Sequence, residues 1–487
     1  MYRIVKPFEV IHAHQMNQIY YPILFLGIVA AGGVFAGSNP SYTHFEISHH
    51  IKTAKAKFVI SEPHILNPVL LAAQNNGITM SRIWIFDEFN RDVPSDMKSW
   101  RALLGHGEVD WLRFDDFQRA NDTTAARLFS SGTTGLPKAA SLSHYNIIAQ
   151  HTLVSDANPR PYQIIRLIPL PLFHAAAAPV THTSALRDGV STYIMRRFEL
   201  TEFLNHLQNY RITDLTLVPP IAIALIHSPL AQKSSLKWTK SAGSGAAPLD
   251  KSMQALLRAK LPSDAPCTQV FGMTEISCLG MLIPYPEDDD TGSIGKLIPG
   301  LEAKLVDTEG NEITQHDVRG EICFRGPTVI KGYFENETAN RESFDQDGWF
   351  KTGDIGYCAK GSEKWYIVDR KKELIKVRGF QVAPFEIEGV LVSHPHIVDA
   401  AVIGVQLPGQ EDEHPRAYLV KSSSLEAATL TVEEVKSFVA SRLAKYKTLT
   451  GGVKFVEAIP KNASGKVLKK VIREIAKKEI GGEKPRL

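Results

Sequence analysis

Nine consecutive residues, Ser130-Ser131-Gly132-Thr133-Thr134-Gly135-Leu136-Pro137-Lys138, bring together four hydroxyls, two glycines and one lysine. Glycine lets the backbone come close to a ligand, and exposed N–H groups and hydroxyls can wrap phosphate oxygens. The lysine adds a point charge of the matching sign. Such composition more often makes an ordinary flexible loop. Two features favour phosphate binding here: the lysine after Gly-Leu-Pro, and the preceding run Ala125-Ala126-Arg127-Leu128-Phe129, which reads as a strand feeding the loop. The spacing is not the G-x-x-x-x-G-K-S/T of a Walker loop. Further on, Gly243-Ser244-Gly245-Ala246-Ala247-Pro248 leaves room for a flat ligand. The same residue types are also common punctuation of a tight connection. His174 closes an apolar strand, where a lone histidine is commonly a satisfied core residue.

These groups need a large scaffold. The 487 residues are too many for one ordinary core, so at least two domains are expected. From Pro22 to about Phe129, apolar runs such as Phe58-Val59-Ile60 and Ile83-Trp84-Ile85-Phe86 alternate with amphipathic stretches such as Leu66–Gln74. This is the β/α alternation of a mostly parallel sheet. It continues through a helix at His144–Ser155, a strand at Ile164–Leu170, a helix at Leu200–Tyr210 and a strand at Asp214–Val218 stopped by Pro219-Pro220. From Leu301 to Phe324 the pattern changes to period-two strands with turns, a smaller β unit. The polar cluster Asp369-Arg370-Lys371-Lys372-Glu373 marks the domain boundary, with 1–369 before it and a small α+β domain, 370–487, after it. The expected fold class is therefore α/β: a large domain of mixed and parallel sheets flanked by helices, plus a small β unit and a small C-terminal α+β domain.

Composition narrows the function. A net charge of +3 gives no case for nucleic-acid binding. The four cysteines, Cys267, Cys278, Cys323 and Cys358, are scattered, which excludes a zinc spacing or disulfide frame and suggests a reducing compartment. Ile19–Gly37 carries no charge, but Pro22, Gly27, Gly32 and Gly33 interrupt it, so it reads as a buried helix from Pro22 and a short strand rather than a membrane span. The N-terminus shows no signal-peptide pattern.

Eight motifs occur in one order. They are the phosphate loop, Pro-Leu-Phe-His, Gly-Ser-Gly-Ala-Ala-Pro-Leu, Phe-Gly-Met-Thr-Glu, Thr-Gly-Asp, Asp-Arg-Lys-Lys-Glu-Leu-Ile-Lys, Arg-Gly-Phe-Gln-Val-Ala-Pro and Pro-Lys-Asn-Ala-Ser-Gly-Lys. Together they closely resemble the adenylate-forming superfamily of acyl-CoA synthetases, luciferases and peptide-synthetase adenylation domains. Within it the chain is most similar to the 4-coumarate–CoA ligase-like group, in a fungal-type version, from about Ile19 to the end. The resemblance implies an ATP-dependent acid–CoA ligase: a carboxylate joins AMP with release of pyrophosphate, then the acyl group passes to the thiol of coenzyme A. It implies that Ser130 to Lys138 hold the β- and γ-phosphates, that Thr274 contacts the α-phosphate and that Glu275 binds Mg²⁺. Gly245, Ala246, Ala247 and Tyr366 would line the adenine slot, and Gln269, Phe271, Gly272 and Lys372 complete the cofactor-binding set. Asp354 would accept from the ribose hydroxyls, with Arg370 nearby. Lys466 would bridge substrate carboxylate and α-phosphate; the plain alternative is one more exposed lysine of a basic tail. The small domain would then turn about Asp369-Arg370, bringing Lys376 and Gln381 to the adenylate and Arg378, Gly379 and Phe380 to the coenzyme A channel. His174 would orient the acyl group or gate the thiol path. Arg197 takes a basic position that meets coenzyme A; its plain reading is a surface arginine beside Arg196.

Three departures stand out. Ala139 replaces the usual glycine after the lysine, which matters only if φ must be positive. The residues after His174 are Ala175-Ala176-Ala177-Ala178, so Ala176 stands where hydroxycinnamate-specific relatives have tyrosine, and Cys278 and Leu279 replace a proline and a valine of their pocket. An acid other than 4-coumarate, bulkier or aliphatic, is expected. Finally, only Met1–Gln18 precede the Pro22 helix, and this short front is expected to leave apolar surface uncovered and a sheet edge unpaired. Two rival functions stay open: loading of a separate carrier protein, and a nucleotide-binding relative without catalysis. Localisation points to the cytosol, with the peroxisome as an alternative on a loose match of Pro485-Arg486-Leu487 to a Ser-Lys-Leu address.

Overall fold

Apolar runs without alternation make strands covered on both faces. Such runs at Val34–Ser38, Ala56–Ser61 and Ile83–Ile85, joined by the buried strand Val10–His14, build the middle of a seven-stranded sheet. The computed structural model describes residues 7–87, 93–130, 136–377, 380–407, 410, 412–462 and 465–480. The order across this sheet is Lys98–Ser99, Ile83–Ile85, Ala56–Ser61, Val10–His14, Val34–Ser38, Thr124–Ser130 and Lys138–Ser143. All neighbours are parallel except the last pair.

Val10–His14 lies inside the sheet, between Val34–Ser38 and Ala56–Ser61. The alternation read from Pro22 onward assigned it no strand, and the unpaired edge expected from the short front is not found there. On helix Tyr21–Ala30, Ile23 and Leu26, with Ile19 just before them, are 57%, 38% and 61% exposed at helical spacing. Among the described residues no helix is long and apolar enough to cross a membrane.

The second sheet has five parallel strands in the order Cys267–Gln269, Ser241–Ser244, Asp214–Leu217, Ile165–Ile168 and Ser191–Ile194. Pro219 and Pro220 open the following helix, Pro219–His227, where a missing N–H costs nothing. The stretch expected as one helix from His144 splits into α-helix His144–His151, capped by Ser143 and Asn146, and a π turn at Thr152–Asp156.

A three-stranded unit, Phe271–Met273, Cys278–Leu282 and Lys296–Leu297, and a five-stranded antiparallel sheet follow. That sheet ends in strands Phe350–Cys358 and Trp365–Arg370. Beyond it come the hairpin Ile375–Val377/Phe380–Val382 and a sheet of Ile397–Gln406, Glu413–Lys421 and Gly452–Phe455. Two clusters of buried residues lie wholly within 375–476, apart from those of the larger part. A helix of this smaller part, Pro384–Val392, touches the larger one: a Cβ on Gly389 would come 2.8 Å from Asp250 Oδ2.

Candidate active site

A cavity of about 930 Å³ opens between the two parts. Its walls include Ser130, Lys138, His174, Gly245, Thr274, Glu275, Arg370 and Lys466. Thr274 and Glu275 start a short 3₁₀ turn, Thr274–Ile276, that links the antiparallel strands Phe271–Met273 and Cys278–Leu282. The turn is tight. Ser277 is left-handed at φ 62°, and any Cβ on Gly272 would lie 2.1 Å from the Cys278 carbonyl oxygen. Only glycine fits there without a shift of backbone, so the hairpin fixes where Thr274 and Glu275 sit.

Glu275 is 4% exposed, and its Oε1 accepts from the Tyr333 hydroxyl at 2.8 Å. Burial, then the Glu275 charge, pushes the Tyr333 phenol far above its usual range, so it stays a donor. The Lys138 ammonium lies 4.7 Å from the centre of the Tyr333 ring. Lys138 faces Ser130 in the antiparallel pair, which places both at the base of the phosphate loop. Ser131, Gly132, Thr133, Thr134 and Gly135 lie outside the described residues. Ala139 is buried in strand Lys138–Ser143 and is not among the positive-φ positions, so glycine is not required there.

Gly245 and Ala246 line the cavity beside Val270. A Cβ on Gly245 would come 2.7 Å from Val270 Cγ2. Ala246 is left-handed at φ 68°, a conformation that costs an alanine about 1 kcal/mol or more. Asp354 is 6% exposed, behind the lining residues Thr352 and Gly353. It pairs across the sheet with Arg370, whose Nε is 3.4 Å from Asp354 Oδ1. Burial raises the Asp354 pKa, and the Arg370 and Lys466 charges pull it back.

Lys466 sits on a turn closed by Asn462 N–H donating to the Lys466 carbonyl and Lys466 N–H donating to Asn462 Oδ1, both at 2.9 Å. At the tip, a Cβ on Gly465 would come 2.8 Å from Pro220, so this turn packs against the start of helix Pro219–His227. Burial, then the Arg370 charge, lowers the Lys466 pKa to about 8, while Asp354 and Glu275 oppose the shift. His174 is lowered to about 4 by burial and by Lys466, so it is neutral near pH 7. Its Nδ1 accepts from the Ala176 N–H at 3.1 Å, which leaves the ring proton on Nε2. Ala175, Ala176, Cys278 and Leu279 line the same cavity. Burial pushes the Cys278 thiol up to about 12, which makes it a neutral wall rather than a nucleophile.

Several expected residues lie elsewhere. The Gln269 amide is occupied: Oε1 accepts from Leu249 N–H at 2.7 Å and Nε2 donates to Gln254 at 3.0 Å, so it braces the Gly245 loop from behind. Phe271 packs toward Phe324, with ring centres 5.9 Å apart. Tyr366 stacks on Tyr357 at 5.0 Å and donates to Thr291, while Ala247 is not among the lining residues. Gly272 and Lys372 do line the cavity. Arg197 is exposed and outside the lining. Lys376 is exposed, paired in register with Gln381, and also outside it. Arg378 and Gly379 lie outside the described residues. Tyr333 and Arg166 line the cavity and were not singled out in the sequence. Arg166 carried a readable signal, a charge inside the apolar strand Ile164–Leu170; Tyr333 carried none.

Comparison with known proteins gives this arrangement a family. Residues 5–334 match the family described as AMP-binding enzyme, and residues 386–466 match the AMP-binding enzyme C-terminal domain. The phenylacetyl-CoA ligase epaB of Aspergillus niger is 53% identical over 474 residues, covering 96% of this chain and 87% of that protein. The 4-coumarate–CoA ligase 1 of Petroselinum crispum is 36% identical over 465 residues, 94% of this chain and 82% of its own. Among solved structures, ATP-bound MatB of Rhodopseudomonas palustris superposes with a TM-score of 0.84 at 28% identity, covering 98% of this chain and 90% of MatB. The chain belongs to the AMP-binding enzyme family of adenylate-forming enzymes.

Proposed function

We propose that the protein is an ATP- and Mg²⁺-dependent acid–CoA ligase working through an acyl-adenylate. The observation that carries this reading is the meeting of Lys466, from the smaller part, with Thr274 and Glu275 of the larger part in one cavity. A carboxylate attacking an α-phosphate builds negative charge between two anions, so catalysis is positioning and electrostatic stabilisation. Lys466 supplies a cation at that junction. Ser130 and Lys138 steer the departing pyrophosphate, Thr274 contacts the α-phosphate, and Asp354 with Arg370 takes the ribose. Glu275 fits Mg²⁺: it is a buried carboxylate whose Oε2 accepts no hydrogen bond among the described residues. Bound there, the ion would neutralise charge on the phosphate oxygens.

In the second step the coenzyme A sulfur attacks the acyl carbon and AMP leaves. The stretch Lys376–Gln381, whose Lys376 is exposed, enters for this step by rotation about Asp369-Arg370. The separate buried clusters of the two parts support that rotation. The acid is other than 4-coumarate, because Ala176, Cys278 and Leu279 offer no ring contact and leave the pocket open. Purified protein with ATP and Mg²⁺ should release pyrophosphate only when a carboxylic acid is added, and form the thioester once coenzyme A is present. Release independent of acid, or none across aromatic and aliphatic acids, would contradict the proposal. Best turnover on 4-coumarate would defeat the acid assignment.

A further inference from the structure

The cavity continues beyond the residues beside His174. It runs from Gly245 past Gly243 and Thr216 to Arg166, Asp214 and Arg160. Arg166 is level with Asp214 in the parallel sheet, and Asp214 is level with Ser241, four residues before Gly245. At about 3.3 Å per residue, this far end lies about 13 Å along the strands from the Gly245 wall. A single aromatic ring does not fill that span.

The polar groups at the far end are unequally satisfied. Asp214 accepts from Thr213 Oγ1 at 2.7 Å and from the Tyr162 hydroxyl at 3.3 Å, and Arg160 Nε lies 3.9 Å away. Arg160 itself donates to the Asn158 carbonyl at 2.9 Å and lies over the Tyr285 ring at 4.8 Å. Asp188, nearer the surface, sits 3.5 Å from His151 Nε2. Arg166 has no hydrogen bond or ion pair within 4 Å among the described residues. Burial lowers its pKa and the Asp214 charge restores part of the loss, so it remains a cation. Arg166 is half-buried in the cavity wall, and its five N–H donors need acceptors that the surrounding side chains do not supply at short range. Asp214 and Asp188 balance the charges of Arg160 and Arg166, while the Arg166 donors face the cavity without a short acceptor contact.

We infer that this end of the cavity reads the tail of the acyl group: the substrate is an extended, medium-chain acid whose far terminus carries an oxygen acceptor, a hydroxyl, oxo or carboxylate group, bound by Arg166. The inference rests on acid–CoA ligation at this site. The tail oxygen accepts N–H hydrogen bonds from Arg166, while Asp214 stays occupied by Thr213 and Tyr162.

The test is acid-dependent pyrophosphate release with decanoate, its terminal hydroxy derivative, decanedioate and phenylacetate. It is run on the wild type, Arg166→Met and Arg166→Lys. The readout is the ratio of kcat/KM for an oxygenated acid to that for decanoate within each protein, so any general loss of activity cancels. A hydrogen bond to a charged donor gives an expected wild-type ratio of about 10- to 100-fold. The ratio should fall to near unity in Arg166→Met and be partly kept in Arg166→Lys. Preference for the hydroxy acid alone, or for the dicarboxylate alone, assigns a neutral or an anionic tail. A wild-type ratio near unity overturns the inference, as does an unchanged ratio in Arg166→Met. The wild-type and Lys ratios decide the matter if the Met variant does not fold. Activity with decanoate or phenylacetate but no tail preference leaves the ligase reading standing; no release with any acid overturns both.

Discussion

At the scale of single residues, Lys466 holds a conditional charge. Burial and Arg370 bring its pKa to about 8, below the ordinary 10.5, so it is charged below pH 8 and loses its proton as pH rises through that value. The kcat/KM for acyl-AMP formation, measured as pyrophosphate release without coenzyme A, should therefore fall above about pH 8. Lys466→Ala should lose that step by about a hundredfold or more. The same variant should still convert preformed acyl-AMP to thioester, measured by mass spectrometry; normal acyl-AMP formation would refute the role. His174, at about 4, contributes no titration in that range. Lys466, Thr274 and Glu275, which line the cavity, were legible because each stands in a motif whose order fixes its place, while Asp354 of a further motif lies just behind the lining. Gln269, Phe271 and Tyr366 belong to the same motifs, yet their side chains are held by Leu249 and Gln254, by Phe324, and by Tyr357 and Thr291. A motif names the backbone that nears a ligand; which side chain faces it depends on packing.

At the scale of elements, the Phe271–Leu282 hairpin sets the site. Gly272→Ala puts a methyl group 2.1 Å from the Cys278 carbonyl oxygen, which the turn must yield to accommodate. It should destabilise the protein by more than about 2 kcal/mol, with a fall in Tm and loss of pyrophosphate release. Gly105→Ala, with no atom within 4 Å of the new Cβ, should stay within about 0.5 kcal/mol of wild type. Most helices and strands were readable from periodicity, including Ala56–Ser61, Leu66–Asn75 and Asp214–Leu217. Val10–His14 was not, since Val-Ile-His-Ala-His lacks the continuous apolar run of a covered strand. His12 and His14 are nevertheless fully buried, each 2.8 Å from the Ser38 hydroxyl. Only the tertiary neighbour Ser38 makes such a strand viable inside a sheet.

At the scale of the whole molecule, desolvation strongly disfavours the charged form of six histidines among the described residues. Burial lowers His12 to about 3, and His14, His144, His174 and His182 to about 4, while His50 lies well below 6.5. Their folded pKa values are depressed, so the unfolded chain binds more protons between about pH 4 and 6.5. The stability they allow is complete above 6.5 and is lost as pH falls toward 4, by up to about 1.4 kcal/mol per pH unit for each ring. Tm should be flat in this respect above pH 7 and drop steeply below 6; a Tm unchanged down to pH 4.5 would contradict the burial of these rings. The polar cluster at Asp369–Glu373 is where the sequence places a boundary, and two buried clusters lie wholly within 375–476; the contact at Gly389 was not readable, because it joins distant residues. A Cβ on Gly389 would lie 3.7 Å from Asp250 Cβ, within disulfide range. The oxidised Asp250→Cys/Gly389→Cys variant should hold Lys466 in the cavity, keep pyrophosphate release and lose thioester formation until reduced. Thioester formation at the wild-type rate in the oxidised form would rule out the rotation.

The chemistry is traced most directly with an acid substrate whose carboxylate carries heavy oxygen. Attack of that carboxylate on the α-phosphorus, followed by thiol attack on the acyl carbon, leaves one labelled oxygen in the released AMP. Mass spectrometry of the products should find the label in AMP and none in pyrophosphate. Label in pyrophosphate or inorganic phosphate, or ADP as the nucleotide product, would contradict acyl-adenylate formation by this protein.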